Sequence, residues 1–495
     1  MAKSVEAYRA GILVYGQFAA KLAEVLVPIV VARLVSKTDF GILGEVLLIY
    51  STAAVVLTVN LPAVLSFYLP GRPDEERYAI TRRALNVMLG IAAACSVAFI
   101  ATGLFAGSDG EGMLGHLWAV ALYPLGDIPS RLLPNLLIIE NRPRAAGVAG
   151  AVRAVALLVA VLVPLALGYD LRVAFLSLSV VGLLLGAGTW WVVHRIYRGT
   201  PATASPISTR KMISFALPLG AQEIVANLNS HVDKYLILFF FSEAVYAEYQ
   251  AGSWQVPLIP SLAYAIGVAY APTFAILYRE GKKVAAIETW RRQTLGSMLI
   301  VVPLAAVFVV SAEEIIALLF PAGYAPAANV LRIYSILSMG RITAFGTIIV
   351  AAGRPNLVLR ASAVALVANV VISTPLVMTV GFLGPALGTL LAFIPQVVTY
   401  MYFMSICSDV SMRRTFPMKG YLQTLAVCAP GCAAAVAIKL NCDWSAAALL
   451  AAEAATVVLS FAVLGTLTRR ILGDDWRFVT DWLTLRGLSR AGGHS

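Results

Sequence analysis

Charge is scarce in this sequence. Asp, Glu, Lys and Arg make up 13% of its 495 residues, and 60% are hydrophobic. A soluble domain carries roughly 25% charge and could not keep so apolar a surface in water. Histidine occurs only four times, with no cluster that could hold a metal. The five cysteines, Cys95, Cys407, Cys428, Cys432 and Cys442, lie mostly within or beside apolar runs and lack paired metal spacing. They read as small core residues rather than as disulfides or ligands. A phosphate-binding loop of the Gly-Lys-Ser/Thr form is missing, which argues against ATP hydrolysis. Long polar stretches are missing too, so no loop has room for a soluble catalytic domain. The first apolar run, 11–34, is too long for a cleavable signal peptide and contains Lys21 and Glu24.

Apolar runs fill the space. They fall at roughly 11–34, 41–69, 85–107, 113–139, 148–168, 172–194, 212–241, 246–277, 293–311, 326–352, 357–380, 383–406, 420–440 and 444–467. At about 1.5 Å per residue, each is long enough to cross ~30 Å of hydrocarbon. Only helices satisfy every backbone group in such runs. The predicted fold class is therefore an all-α polytopic membrane protein with about fourteen transmembrane helices.

The few charges are not randomly placed. Basic residues gather in every second connection: Lys3 and Arg9, Arg72 to Arg83, Arg142 and Arg144, Arg195 to Lys211, Arg279 to Arg292, Arg354 and Arg360, Arg413 to Lys419, and Arg469 and Arg470. The intervening connections carry little more than Arg33, Lys37, Arg172 and Lys439. Cytoplasmic loops retain positive charge, so both termini are expected in the cytoplasm. The net charge of +11 then reflects topology, with anionic membrane lipids as its natural partner rather than nucleic acid.

The two halves look related. One shift of the numbering pairs Ser36-Lys37-Thr38-Asp39-Phe40-Gly41 with Ser242-Glu243-Ala244-Val245-Tyr246-Ala247, each the turn between the first two helices of a half. Nearly the same shift brings Arg82-Arg83 to Arg291-Arg292 and Arg142-Pro143 to Arg354-Pro355. Two six-helix lobes related by a pseudo-two-fold axis follow, since an even number of spans keeps both repeats in one orientation. The expected organisation is a lobe over 1–196, a cytoplasmic linker over 197–211, a second lobe over 212–407 and two additional helices over 408–467. A tail follows over 468–495, with Leu472, Trp476, Val479 and Leu483 at the spacing of a short interfacial helix.

Polar residues inside the runs mark candidate sites, because an ionisable group at mid-bilayer costs at least a few kcal/mol. The first run carries Gln17, Lys21 and Glu24 on one helix face; the seventh carries Glu223, Asn227, Ser230 and Lys234. The repeat shift superposes these two stripes, as a hydrophilic cleft between lobes would require. Lys21 and Glu24 can also simply neutralise each other. Asp233 points off the stripe and is expected to pair with another helix. Asp127 and Arg131 sit one turn apart in the fourth run, and Arg341 is the deeper of two arginines in the tenth. Lys21, Arg131, Lys234 and Arg341 together favour an anionic cargo, with structural ion pairs as the competing explanation for each. Pro28, Pro62, Pro124, Pro257, Pro260 and Pro272 are expected to kink their spans.

Several short stretches resemble a known family. Ala32-Arg33-Leu34 with Asp39-Phe40-Gly41, Phe215-Ala216-Leu217-Pro218-Leu219-Gly220, Val232-Asp233-Lys234-Tyr235-Leu236 and Val245-Tyr246-Ala247-Glu248-Tyr249 are similar to bacterial polysaccharide (oligosaccharide-lipid) flippases. These belong to the multidrug/oligosaccharidyl-lipid/polysaccharide exporter superfamily. Ala247 departs from the glycine that family often has there. The resemblance implies alternating access through a cationic cavity in the bacterial inner membrane. It implies undecaprenyl-pyrophosphate-linked oligosaccharide as cargo, and a polysaccharide polymerase and chain-length regulator as partners. Gln17, Lys21, Arg131, Asn227, Ser230, Lys234 and Arg341 are then the candidate cavity residues. Glu24, Asp127 and Glu223 are candidates for coupling to a proton or sodium gradient. No cofactor and no enzymatic activity are expected. Two alternatives stay open: a drug/cation antiporter of the same superfamily, and a membrane polysaccharide polymerase or ligase.

Overall fold

The computed structural model describes residues 26–106, 112–201, 203–253, 263, 266–267 and 269–468. Gln17, Lys21, Glu24, Pro257, Pro260 and the tail helix lie outside these residues. What is described is helical, with no strand among the described residues. After a helical stretch at 26–34, the helices used below are α1 (Lys37–Thr58), α2 (Leu61–Tyr68), α3 (Asp74–Ala106), α4 (Tyr123–Ser130), α5 (Leu133–Ile139), α6 (Pro143–Ala166) and α7 (Leu171–Ile196). They continue with α8 (Thr209–Phe240), α9 (Glu243–Ser253), α10 (Ala271–Arg279), α11 (Lys283–Val310), α12 (Ala312–Leu319), α13 (Ala327–Gly340) and α14 (Thr347–Ala351). The last four are α15 (Pro355–Val380), α16 (Gly384–Ser408), α17 (Met418–Asn441) and α18 (Ala446–Leu467).

Eight segments of the described residues are long and apolar enough to cross a membrane, and one of them, Pro355–Ser408, has 54 residues. That segment is the pair α15 and α16, folded back at Gly381, whose φ of 73° is readily reached only without a side chain. The chain divides into two compact units. The first runs to Leu228 and adds Ser242–Ala247; the second takes Asn229–Phe241 and the chain from Glu248 onward.

Several apolar runs are not single helices. The run 113–139 breaks into Met113–His116, α4 and α5. Pro124 and Pro134 stand in the first turns of α4 and α5. A proline there wastes no hydrogen bond, since first-turn N–H groups have no intrahelical partner. Pro62 and Pro272 stand likewise in the first turns of α2 and α10. Pro62, Pro124 and Pro272 thus start helices instead of kinking them. The prolines that do lie inside helices are others, among them Pro164, Pro218, Pro303, Pro375, Pro395 and Pro430. The run 41–69 is broken at Val59 and Asn60, both left-handed, with φ of 47° and 55°. A β-branched residue seldom adopts that conformation, so neighbouring packing holds it there.

In the first unit α4 and α7 approach to backbone contact. Gly182 and Gly186, one turn apart on α7, face Tyr123 and Gly126 of α4 respectively, and a Cβ on Gly126 would strike the carbonyl of Gly182. Small residues at this spacing let helices associate in lipid, where apolar burial drives nothing. In the second unit Gly384 and Gly388 of α16 meet α15 at Leu376 and Ser373 in the same manner. The centre of that unit is α11, the most enclosed span at 78% buried. Its Trp290 packs with Phe345 and Phe416. Outward-facing spans show the reverse. On α6 Val148, Val152, Val155, Val159 and Val163 form one exposed apolar stripe, which suits lipid and not water.

Where α11 runs into α12, the second unit is tied by charge. Glu313 pairs with Arg332 at 2.9 Å and with Lys439 at 2.8 Å, and Lys439 also holds Glu314 at 2.8 Å. Hydrogen bonds from Lys439, and then from Arg332, hold the Glu313 carboxyl below the usual carboxylate range. A group with a depressed folded value stabilises above its unfolded value and loses that contribution as pH falls through the folded one. Glu313→Gln should therefore cost thermal stability at neutral pH, and the deficit relative to wild type should shrink as pH falls to about 3. Thermal unfolding of both proteins in detergent across that range measures it; a deficit independent of pH would refute the assignment.

Candidate functional site

Each unit buries one aspartate and surrounds it with tyrosines and arginine. In the first unit the aspartate is Asp127 on α4, wholly buried. Arg131, which closes α4, donates Nε to Oδ2 at 3.0 Å. Arg153 of α6 donates Nε to Oδ1 at 3.1 Å and adds a second, shorter bond from a terminal nitrogen. The Tyr50 hydroxyl of α1 donates to Oδ2. Tyr50 in turn packs on Tyr123, ring centroids 4.7 Å apart, with the Arg131 guanidinium 5.8 Å from its own centroid.

Two guanidiniums answer one carboxylate here, so the cluster carries an excess positive charge. Asp127 spends its acceptor capacity on three side chains. Arg131 gives it only Nε, and its side chain and that of Arg153 stay 27% and 32% exposed. The unspent guanidinium donors are what an anion would bind.

In the second unit Asp233 of α8 is buried. Tyr249 of α9 donates to it at 3.1 Å, and Tyr334 of α13 donates to the same oxygen. Asp233 thus ties α8 to two other helices, the interhelical pairing expected of it. Arg341, at the end of α13, lies within electrostatic reach of Asp233. It borders a small pocket shared with Asn229, Asn369, Thr389 and Gln396, whose volume of about 10 Å³ is room for a single water. Asn369 organises this corner. Its amide donates to the Asn229 carbonyl at 3.2 Å, and its Oδ1 accepts from Ser373 at 2.7 Å.

The polar stripe of α8 is distributed between the units. Glu223 and Asn227 belong to the first, Ser230 and Lys234 to the second. Glu223 and Ser230 are exposed, and Asn227 and Lys234 are half-buried. The Asn227 Oδ1 is buried without a hydrogen-bond partner among the described residues. Of the residues singled out from sequence, the structure joins Asp127 to Arg131 and places Arg341 in the second unit, near Asp233 and the Asn369 corner.

Arg153 escaped the sequence reading, although its signal was there: an arginine inside the otherwise apolar run 148–168. Tyr50, Tyr249, Tyr334 and Asn369 carried no such signal. Tyrosine and asparagine are common in helices, and only the fold brings these to an aspartate or to one another.

Each unit is thus a set of packed helices with an aspartate buried inside it. The chain is similar in fold to lipid II flippase MurJ in an inward closed conformation, with a TM-score of 0.73, 11% identity, and coverage of 93% of this chain and 99% of that one. An inward-facing multidrug-resistance MATE transporter is similar at a TM-score of 0.61 and 14% identity, covering 79% of this chain and 96% of that one. A MOP-superfamily transporter from Pyrococcus furiosus described as having a binding pocket of reversed polarity gives 0.56 and 14%, over 81% and 95% of the respective chains. No curated protein matches the sequence. The model of one family does, over residues 9–277, and the chain belongs to that family: polysaccharide biosynthesis protein.

The aspartate cluster can be tested directly. Removing the acid of a buried ion pair strands the cations it neutralises, at a cost of about 3–5 kcal/mol. Asp127→Ala should lose about that much in unfolding experiments on the detergent-purified protein. Arg153→Gln should lose less, since Asp127 keeps Arg131 and Tyr50. Equal losses in the two variants would show that Asp127 is not the hub.

Proposed function

We propose that this protein is a flippase, carrying undecaprenyl-pyrophosphate-linked oligosaccharide from the cytoplasmic to the outer leaflet of the bacterial inner membrane for exopolysaccharide, capsule or O-antigen synthesis. The observation that carries the reading is the Arg131–Asp127–Arg153 cluster, in which guanidiniums outnumber the carboxylate inside a membrane span. Membership of a polysaccharide biosynthesis family and a fold shared with a lipid II flippase support it. An excess of buried cation suits pyrophosphate or acidic sugars and opposes a cationic drug.

In this reading the lipid tail stays in the bilayer while the charged headgroup crosses through a central cationic cavity by alternating access. Gln17, Lys21, Asn227, Ser230, Lys234 and Arg341 line that path with Arg131, and both termini lie in the cytoplasm. The protein transports and does not catalyse, handing its cargo to a polymerase and chain-length regulator. Coupling to a proton or sodium gradient falls to Glu24 or Glu223. Asp127, the third candidate, already has its oxygens occupied by Tyr50, Arg131 and Arg153, so an ion there would have to displace a resident donor.

Removal of the protein should strand finished lipid-linked repeat units on the cytoplasmic leaflet, detected by their protection from a membrane-impermeant glycosidase, and Lys21→Ala with Lys234→Ala should reproduce this at normal protein level. Units that reach the outer face but stay unpolymerised would instead identify a polymerase or ligase. Unchanged pools would favour the drug exporter. If Glu24 or Glu223 couples transport, its Gln variant should transport without responding to collapse of the gradient; an unaltered response in both variants eliminates them.

A further inference from the structure

A polar cavity of the first unit shares no lining residue with the aspartate cluster. It has a volume of about 410 Å³ and is lined by Arg82, Arg83 and Asn86 of α3, by Thr203 and Ser205 of the connection after α7, and by Thr209 at the start of α8. That volume is within the range of small-ligand sites, roughly 300–1,000 Å³. Arg82, Arg83 and Asn86 share one face of α3. The lining holds two guanidiniums, an amide and three hydroxyls, with no carboxylate.

The walls are built and not merely adjacent. The connection is pinned at its near end by Tyr197, whose hydroxyl donates to Glu140 at 2.6 Å. At its far end Ile207 is buried, and its carbonyl accepts from Arg83 at 2.8 Å. Ser205 braces the same turn, donating to the Ile207 carbonyl at 3.1 Å and accepting from its N–H at 3.3 Å. Arg83 is thus partly spent on structure. Arg82 is different: it is exposed into the cavity and has no hydrogen-bond or ion-pair partner among the described residues. A guanidinium fork with all its donors free, above hydroxyls and an amide, matches the oxygens of a phosphate.

We propose that this cavity binds a phosphate-bearing anion, either the headgroup of an acidic phospholipid or a soluble phosphoanion, with Arg82 as its principal ligand. The site lies among the basic connections read as cytoplasmic, where acidic headgroups concentrate. None of its lining residues is assigned to the proposed cargo path, so the proposal does not depend on which molecule the protein transports.

The full-length protein, purified and delipidated, provides the test in two arms. One titrates inorganic pyrophosphate calorimetrically. The other reconstitutes the protein in mixed phosphatidylcholine/phosphatidylglycerol vesicles and counts retained lipids by native mass spectrometry. Arg82→Gln is compared with wild type in both, and Arg413→Gln, an exposed basic residue elsewhere, serves as the charge-matched control. Loss of a charge-assisted hydrogen-bonded pair should weaken binding roughly tenfold or more in the Arg82 variant and leave the control unchanged. Arg82-dependent binding in the first arm alone identifies a soluble phosphoanion, and in the second arm a lipid headgroup. Binding in neither arm, or equal binding by wild type and Arg82→Gln, overturns the proposal.

Discussion

In hydrocarbon a charge must bring its own partners, and the interior of this protein is arranged by that constraint. A buried carboxylate has no bulk water to solvate it, so Asp127 draws Tyr50 from α1 and Arg153 from α6 onto α4. Asp233 does the same with tyrosines from α9 and α13. Each aspartate therefore fixes the rotation and depth of several helices at once. Apolar packing cannot do this alone, because lipid is as good a solvent for Leu and Val as the helix interface is. The glycine contacts of α4 with α7 and of α15 with α16 supply the complementary term, close backbone approach and dispersion.

The same constraint explains the broken helices. Backbone left without hydrogen bonds at membrane depth must be covered by protein. The break between α4 and α5 falls at Arg131, beside the Asp127 cluster, and α13 ends at Arg341, beside the Asn369 corner. Proline placed in the first turn of α4 and α5 makes the interruption inexpensive. Irregular backbone and buried cation thus coincide, with Arg131 and Arg341 each at a helix end. Transport proteins place their binding groups at such interruptions.

Family, fold and charge point in one direction. The family is one of polysaccharide biosynthesis, and the fold is shared with both a lipid flippase and multidrug transporters. Fold alone does not choose between them, since superfamily members carry different cargo on one scaffold. The choice rests on the sign of the buried charge. In the first unit that sign is positive, which is the ground of the proposal of an anionic cargo.

Much of this was legible in the chain itself. Membrane residence and the helical class come from the length of the apolar runs, which is a one-dimensional property. Asp127 and Arg131 stood out because a charge in an apolar run is conspicuous and a one-turn separation puts both on one face. Helix interruptions were harder to read: Pro62, Pro124 and Pro272 look alike as kinks or as starts until the first turn is located. What only the tertiary structure decided is which distant residues meet. Arg153 comes from another helix to turn the neutral Asp127–Arg131 pair positive, Tyr334 reaches Asp233 across a hundred residues, and Arg83 folds a connection into a pocket wall. Sequence specifies where charge sits along the helices; the rotation and packing of those helices specify what it touches.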